Sequence, residues 1–323
     1  MERLDAFMAR ANALYYATHD PFRDFTTAPE ISQVFGEVLG LWAAVVWRQM
    51  GAPDPVLMAE LGPGRGTLMQ DASRAIEQAA PAFAAALRLH LVETSPRLRA
   101  EQACRLPGAT WHDDAGTLPP GPLILLANEL LDALPIRQFV RRGHGWTERH
   151  VDDGAFVERP ADPPGIDAPD GAVVEHNEAA RTLVRGVAAR IVAQGGAALM
   201  LDYGPTRSGP GESLQALRHG RPGNPLVAPG DSDLTAHVDF QALAIAARTA
   251  GAQVHGPVPQ GPFLAALGLF QRTGRLARTQ GPVRASAMVA AAQRLAEPDR
   301  MGGLFKALCV CQPGLPTPPG FEA

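Results

Sequence analysis

Strand-like apolar runs alternate with helix-like stretches from Val56 to Asn128, and no other feature restricts the possible folds as much. "VLMAEL" (56–61) is followed by a glycine turn and a helical stretch that Pro81 closes. "LRLHLVE" ends at Glu93, and Ser95-Pro96 opens another helix, since proline suits a first turn and serine the position before it. "ATWHDD" is a short third strand, and "PLILLANE" a fourth, apolar enough to be buried on both faces. Such alternation means a doubly wound α/β sheet. Ahead of it, "TTAPEISQVFGEVLGLWAAVVWRQMG" carries Ile31, Val34, Phe35, Val38, Leu39, Trp42, Val45 and Val46 at helical spacing. Thr27 and Glu30 form a capping box there, and Gly51 stops the helix.

Beyond the fourth strand the alternation is interrupted. "IRQFVRRGHGWTERHVDDGAFVE" reads as two or three antiparallel strands with turns at Gly143–Gly145 and Asp153-Gly154, then a loop from Pro160 to Gly171. A helix near 177–194 leads to the fifth strand, "AALMLDYG". Residues 205–230 are rich in glycine and proline and are expected to be irregular. "DFQALAIAARTAG" is a helix capped by Asp239, and "LFKALCVCQ" is a closing strand.

With 323 residues, one large domain with insertions and two modest domains are both possible. A net charge of -4 supplies no overall attraction to nucleic acid or an anionic membrane, so neither is expected as a partner. Apolar residues at 46% suffice for a full core. Cys104, Cys309 and Cys311 make no disulfide framework, and the latter two read as core thiols. The nine histidines show no metal-ligand spacing with cysteines, so no metal is expected. The start lacks the order of a secretory signal, which leads to an expected cytoplasmic location.

In "AELGPGRGTLM" the glycines Gly62, Gly64 and Gly66 follow the first strand, with Glu60 ahead of them. A dinucleotide fingerprint spaces its glycines G-x-G-x-x-G, whereas here Thr67 stands where the last should fall. Glu60 would repel a pyrophosphate but suits the cationic, phosphate-free S-adenosylmethionine. An ordinary strand-helix turn is the plain alternative. Ligands of open α/β sheets sit outside the carboxyl ends of the strands, and four successive ends here carry carboxylates or amides. Glu93 is placed to accept both ribose hydroxyls and Asp114 the adenine amino group, with helix capping as each one's structural alternative. In "NELLDALP", Glu129 and Asp132 are three apart, so on a helical turn they share a face and could grip a guanidinium; capping or salt bridging is the other reading. Asp202-Tyr203-Gly204 and His237 are weaker candidates.

"DFTTAPEISQVFGE", "ELGPGRGTLM", "ETSPRLR", "ANELLDALPIRQF", "LDYG", "DLTAHVDF" and "MGGLFKAL", as an ordered set, resemble the MidA-type family of class I S-adenosylmethionine-dependent methyltransferases. Mitochondrial members of that family are assembly factors of respiratory complex I that dimethylate an arginine of a core subunit. The resemblance implies a class I methyltransferase fold, a Rossmann-like doubly wound sheet with an inserted second lobe. It implies S-adenosyl-L-methionine as cofactor and a protein substrate, with a respiratory-complex subunit as the candidate. Glu60, Gly62, Gly64 and Gly66 carry over as the cofactor turn, Glu93 with its neighbour Thr94 as the ribose side, and Asn128-Glu129 as the rim of the active site, where Glu129 and Asp132 are the expected catalytic pair. Thr26-Thr27 would fold over the cofactor, and Phe22-Arg23-Asp24 replaces a longer lead-in. The expected division is 1–51 as lid and helix, 52–134 as cofactor core completed by 195–204 and 304–312, and 135–194 with 205–303 as a substrate-side lobe. A nicotinamide oxidoreductase and a non-catalytic assembly factor are the rival functions.

Overall fold

The computed structural model describes residues 1–23, 25–218 and 220–322, so Asp24 of the lead-in lies outside it. Two compact units emerge, one of residues 27–129, 184–204 and 244–323, the other of 1–26, 130–183 and 205–243.

The first unit is built on a seven-stranded sheet. Its strands are Val56–Leu61 (β1), Leu87–Val92 (β2), Thr110–His112 (β3), Leu123–Asn128 (β4), Gly196–Tyr203 (β5), Gln253–Pro259 (β6) and Phe305–Cys311 (β7). They are ordered β3-β2-β1-β4-β5-β7-β6. β1 runs parallel to β2 and β4, and β5 parallel to β4, while β7 is antiparallel to β5 and β6. Every residue of β1 and β4 is buried, which is why both are apolar except for Glu60 and Asn128 near their carboxyl ends. The strand order reverses between β1 and β4, the place where open α/β sheets form a ligand crevice. Cys309 and Cys311 are fully buried on β7, as the strand pattern suggested.

Helix Gln33–Gln49 (α1) packs its Phe35, Leu39 and Trp42 into this unit's core, and Trp47 stacks on Phe83 with centroids 5.1 Å apart. A Cβ on Gly36 or Gly40 would come within 2.8 Å or 2.7 Å of the backbone of helix Thr67–Ala79 (α2), so only glycine permits this close crossing. The helix expected to run unbroken from Thr27 instead splits. Ala28–Ile31 forms a short turn, Ser32 adopts an extended conformation, and its hydroxyl accepts from the Val34 N–H at 3.3 Å to cap α1. The Thr27–Glu30 capping box does not form, because Glu30 accepts from the Thr67 hydroxyl at 2.5 Å.

Phe263, Leu264, Leu269, Ala292 and Leu295 enter the same core. Residues 244–303 therefore belong with the sheet rather than with a second lobe, and α1 does too rather than with an N-terminal lid. The sequence concealed this because several short helices, including Leu269–Ala277 and Pro282–Ala296, are only partly apolar.

The second unit holds the expected antiparallel strands, Arg137–Arg142, Gly145–Asp152 and Ala155–Ala161, joined by Val173–His176 and edged by Glu2–Arg3. Helix Leu4–Thr18 contributes Leu4, Phe7, Met8 and Ala11 to a core with Ile136, Val151 and Leu234. Residues 205–230 are less irregular than expected: Gln215–Arg218 pairs with Arg221–Gly223 and with Asp233–Thr235.

Candidate active site

The carboxyl ends of β1, β2, β3 and β4 share one edge because these strands are parallel. After β1 the chain turns through Gly62, Gly64 and Gly66, with φ of 61°, 54° and 80°. These left-handed values favour glycine, and a Cβ on Gly66 would come within 3.3 Å of the Leu106 side chain. Gly62 N–H donates to the Val92 carbonyl at 3.0 Å, and Gly66 sits at the N-cap of α2.

Glu60 is 3% exposed, and its Oε2 has no hydrogen-bond partner among the described residues. Burial, reinforced by the neighbouring Glu93 charge, pushes its pKa up to about 8. On the adjacent strand Asn128 donates its Nδ2 to Glu129 Oε1 at 3.1 Å, which leaves its buried Oδ1 likewise without a partner. A buried acceptor left unpaired costs about 1–3 kcal/mol. Two of them at neighbouring strand ends fit a ligand that brings donors and positive charge, as the amino acid end of S-adenosylmethionine does. A pyrophosphate would bring neither. These residues fit the cofactor.

Glu93 follows β2 and is differently served. Its Oε1 accepts from the Ser95 N–H at 2.8 Å and its Oε2 from Gln102 Nε2 at 3.3 Å. Burial raises its pKa, while the Ser95 N–H, Gln102 and the Thr94 N–H work against the rise. Thr94 itself is exposed. Gln102, on helix Pro96–Arg105 (α3), was not singled out from the sequence. The available signal was its spacing: Leu98 and Gln102 are four apart, and they are the buried residues of that helix. Asp114 is exposed and accepts from the Gly116 N–H at 2.7 Å, the capping role weighed against adenine recognition.

Glu129, just past β4, has φ +50° and donates its N–H to the Leu201 carbonyl at 2.9 Å. Its Oε1 accepts from the Ala28 N–H at 2.7 Å, the first helical residue after Thr27, and burial raises its pKa to about 7. Asp202 nearby adds to that rise, and Arg294 opposes it. Asp202 Oδ1 accepts from the Tyr203 N–H at 2.9 Å. The helical turn expected to align Glu129 with Asp132 is not formed. The left-handed Glu129 ends one unit, and Asp132 sits buried in a 3-10 turn, 131–133, of the other. In that second unit burial, reinforced by the Asp233 and Asp132 charges, raises the pKa of Tyr16, whose hydroxyl donates to Asp233 at 2.8 Å. Thr26 and His237 also belong to the second unit, and both are exposed. The structure thus gathers Thr27, Glu60, Gly62, Gly64, Gly66, Glu93, Asn128 and Glu129 in the sheet unit.

Among the described residues no group of three or more side chains could hold a metal ion, and no helix is long and apolar enough to cross a membrane. Residues 38–258 match a protein family described as "Putative S-adenosyl-L-methionine-dependent methyltransferase". A Drosophila melanogaster protein, the mitochondrial protein arginine methyltransferase NDUFAF7 homolog, is 33% identical over 96% of this chain and 80% of its own. The human mitochondrial protein arginine methyltransferase NDUFAF7 is 31% identical over 87% and 72%. A Burkholderia thailandensis protein solved with S-adenosyl-homocysteine bound has a TM-score of 0.78 at 28% identity, covering 99% of this chain and 88% of its own. The expected cytoplasmic location is overturned by the animal relatives, which are named as mitochondrial. The oxidoreductase rival falls with the family match.

Proposed function

This chain belongs to the family of S-adenosyl-L-methionine-dependent methyltransferases, and we propose that it methylates an arginine side chain of a protein substrate. When bound, S-adenosylmethionine supplies an electrophilic methyl group on its sulfonium. Glu60 and Asn128 accept hydrogen bonds from the cofactor's cationic end, and Glu93 accepts from its ribose. The turn through Gly62, Gly64 and Gly66 lets the backbone lie close against it. Thr27 leads into the short helix whose first N–H holds Glu129.

The observation that carries the arginine reading is Glu129. Its carboxylate is oriented by the Ala28 N–H and Asn128, and its pKa stands near 7. Such a group can receive a guanidinium in planar hydrogen bonds and can take a proton from it. The relatives named as protein arginine methyltransferases support this substrate class, and the family resemblance makes a subunit of a respiratory complex the first protein to try.

Glu129→Gln keeps the hydrogen-bonding shape and removes the charge. Methyl incorporation into the substrate arginine, read by mass spectrometry, should fall about 100-fold, equivalent to about 2.7 kcal/mol of transition-state stabilisation. Affinity for S-adenosylhomocysteine should stay within about twofold, because the charge lost belongs to the acceptor side. An unchanged methylation rate would remove Glu129 from the active site. Wild-type protein that restores assembly of the complex while no arginine gains mass would favour the assembly-factor reading instead.

A further inference from the structure

We infer that Gln102 is the residue that makes the nucleoside end of this site selective for an intact ribose diol, by fixing Glu93 and the glycine turn in one hydrogen-bonded unit. The inference rests on the cofactor reading above, in which Glu93 accepts the ribose hydroxyls.

Gln102 is fully buried on α3. Its Nε2 donates to the Gly64 carbonyl at 2.7 Å and to Glu93 Oε2 at 3.3 Å, and its Oε1 accepts from Trp111 Nε1 at 2.8 Å. The indole N–H can only donate, so it forces the amide oxygen toward Trp111 and both amide hydrogens toward Gly64 and Glu93. A flipped amide would set its oxygen against two acceptors at once. Trp111 on β3 anchors the amide oxygen while the Gly64 carbonyl and Glu93 draw the amide hydrogens, so Gln102 ties β3, the glycine turn and Glu93 into one unit. With Ser95 N–H on Oε1 and Gln102 on Oε2, each carboxylate oxygen is held yet keeps acceptor capacity for a further donor. That is the arrangement needed to take two neighbouring hydroxyls, one on each oxygen. A glutamine that merely joined α3 to the sheet would add stability without affecting which hydroxyls are preferred.

The test measures S-adenosylhomocysteine and its 2′-deoxy analogue by calorimetry against wild type, Trp111→Phe, Gln102→Glu and Glu93→Ala. Wild type should prefer the intact ribose by tenfold or more, the scale of a hydrogen bond to a charged group. Trp111→Phe removes the donor that anchors the amide oxygen, which loosens Gln102 although Gly64 and Glu93 still disfavour a flip, and should cut the preference about two- to threefold. Gln102→Glu places an acceptor against Gly64 and Glu93 and should bring it close to one. If Gln102→Glu fails to fold, Trp111→Phe still decides, since it removes the anchoring donor and keeps an aromatic ring at this partly buried position. A full preference in the Gln102 and Trp111 variants, with its loss in Glu93→Ala, would overturn the inference and spare the cofactor reading. A full preference in Glu93→Ala would overturn both.

Discussion

Polar groups at the carboxyl edge of the sheet and in the interior of the second unit are treated differently. In the second unit Asn12 donates to the Ala133 and Leu234 carbonyls at 2.9 and 2.8 Å and accepts from the Leu234 N–H at 3.0 Å. The half-buried Glu175 there accepts from the buried Gln138 Nε2 at 2.7 Å, from the Ser213 and Leu214 N–H groups at 3.0 and 3.2 Å, and from the Ser213 hydroxyl. At the carboxyl edge of the sheet, Glu60 Oε2 and Asn128 Oδ1 are buried with no such partners. Native proteins satisfy nearly all buried polar atoms, and satisfied networks hold a fold in one arrangement. The lesson is that satisfied polar burial marks structure, and that unsatisfied acceptors gathered at the carboxyl ends of parallel strands point to a ligand position.

The comparison breaks most visibly at Asn12. Asn12→Ala would strand two carbonyls and an N–H, at a cost of about 2–3 kcal/mol, read as a lowered midpoint in urea. Affinity for S-adenosylhomocysteine should not change. A variant with intact stability and weakened binding would place the division between the units wrongly. Gly64→Ala should do the reverse on a smaller scale. A Cβ at φ +54° costs about 1–2 kcal/mol of backbone strain, or a few degrees of melting temperature. In the proposed cofactor site the same Cβ would stand between the ligand and the backbone, so binding should weaken about tenfold, or about 1.4 kcal/mol. Near-normal affinity would mean that the turn does not touch the cofactor.

The sheet was readable because β1 and β4 are apolar apart from Glu60 and Asn128 near their carboxyl ends, and such strands suit burial on both faces. The antiparallel strands after Ile136 were readable from their turns, where Asp153 and Gly154 take φ of 47° and 72°. Three features were not. Ser32 competes with Thr27 for the start of α1 and takes it, because the Glu30 that a capping box at Thr27 would need is engaged by the Thr67 hydroxyl, a partner far off in sequence. Glu129 and Asp132 look like a helical pair by spacing, but the chain takes a left-handed residue at Glu129 in place of a helical turn. Gln102 has nothing in its own sequence neighbourhood to name Gly64, Glu93 and Trp111 as partners, all brought to it by the fold. In the candidate site, strand ends were legible and the connections between them were not.

The most direct test of the central claim, that the unpaired Glu60 receives the cofactor's cation, is proton release on binding. With its pKa raised to about 8, Glu60 is mostly protonated at pH 7 in the free protein. A cationic ligand favours the carboxylate, lowers that pKa and expels the proton. Affinity should therefore rise with pH through 7 and level off above about 8. Calorimetry of S-adenosylhomocysteine at pH 7, in buffers of different ionisation heat, should show net release approaching one proton, absent in Glu60→Gln along with most of the pH dependence. Binding to the wild type with no proton released, and with the same affinity in Glu60→Gln, would contradict the account.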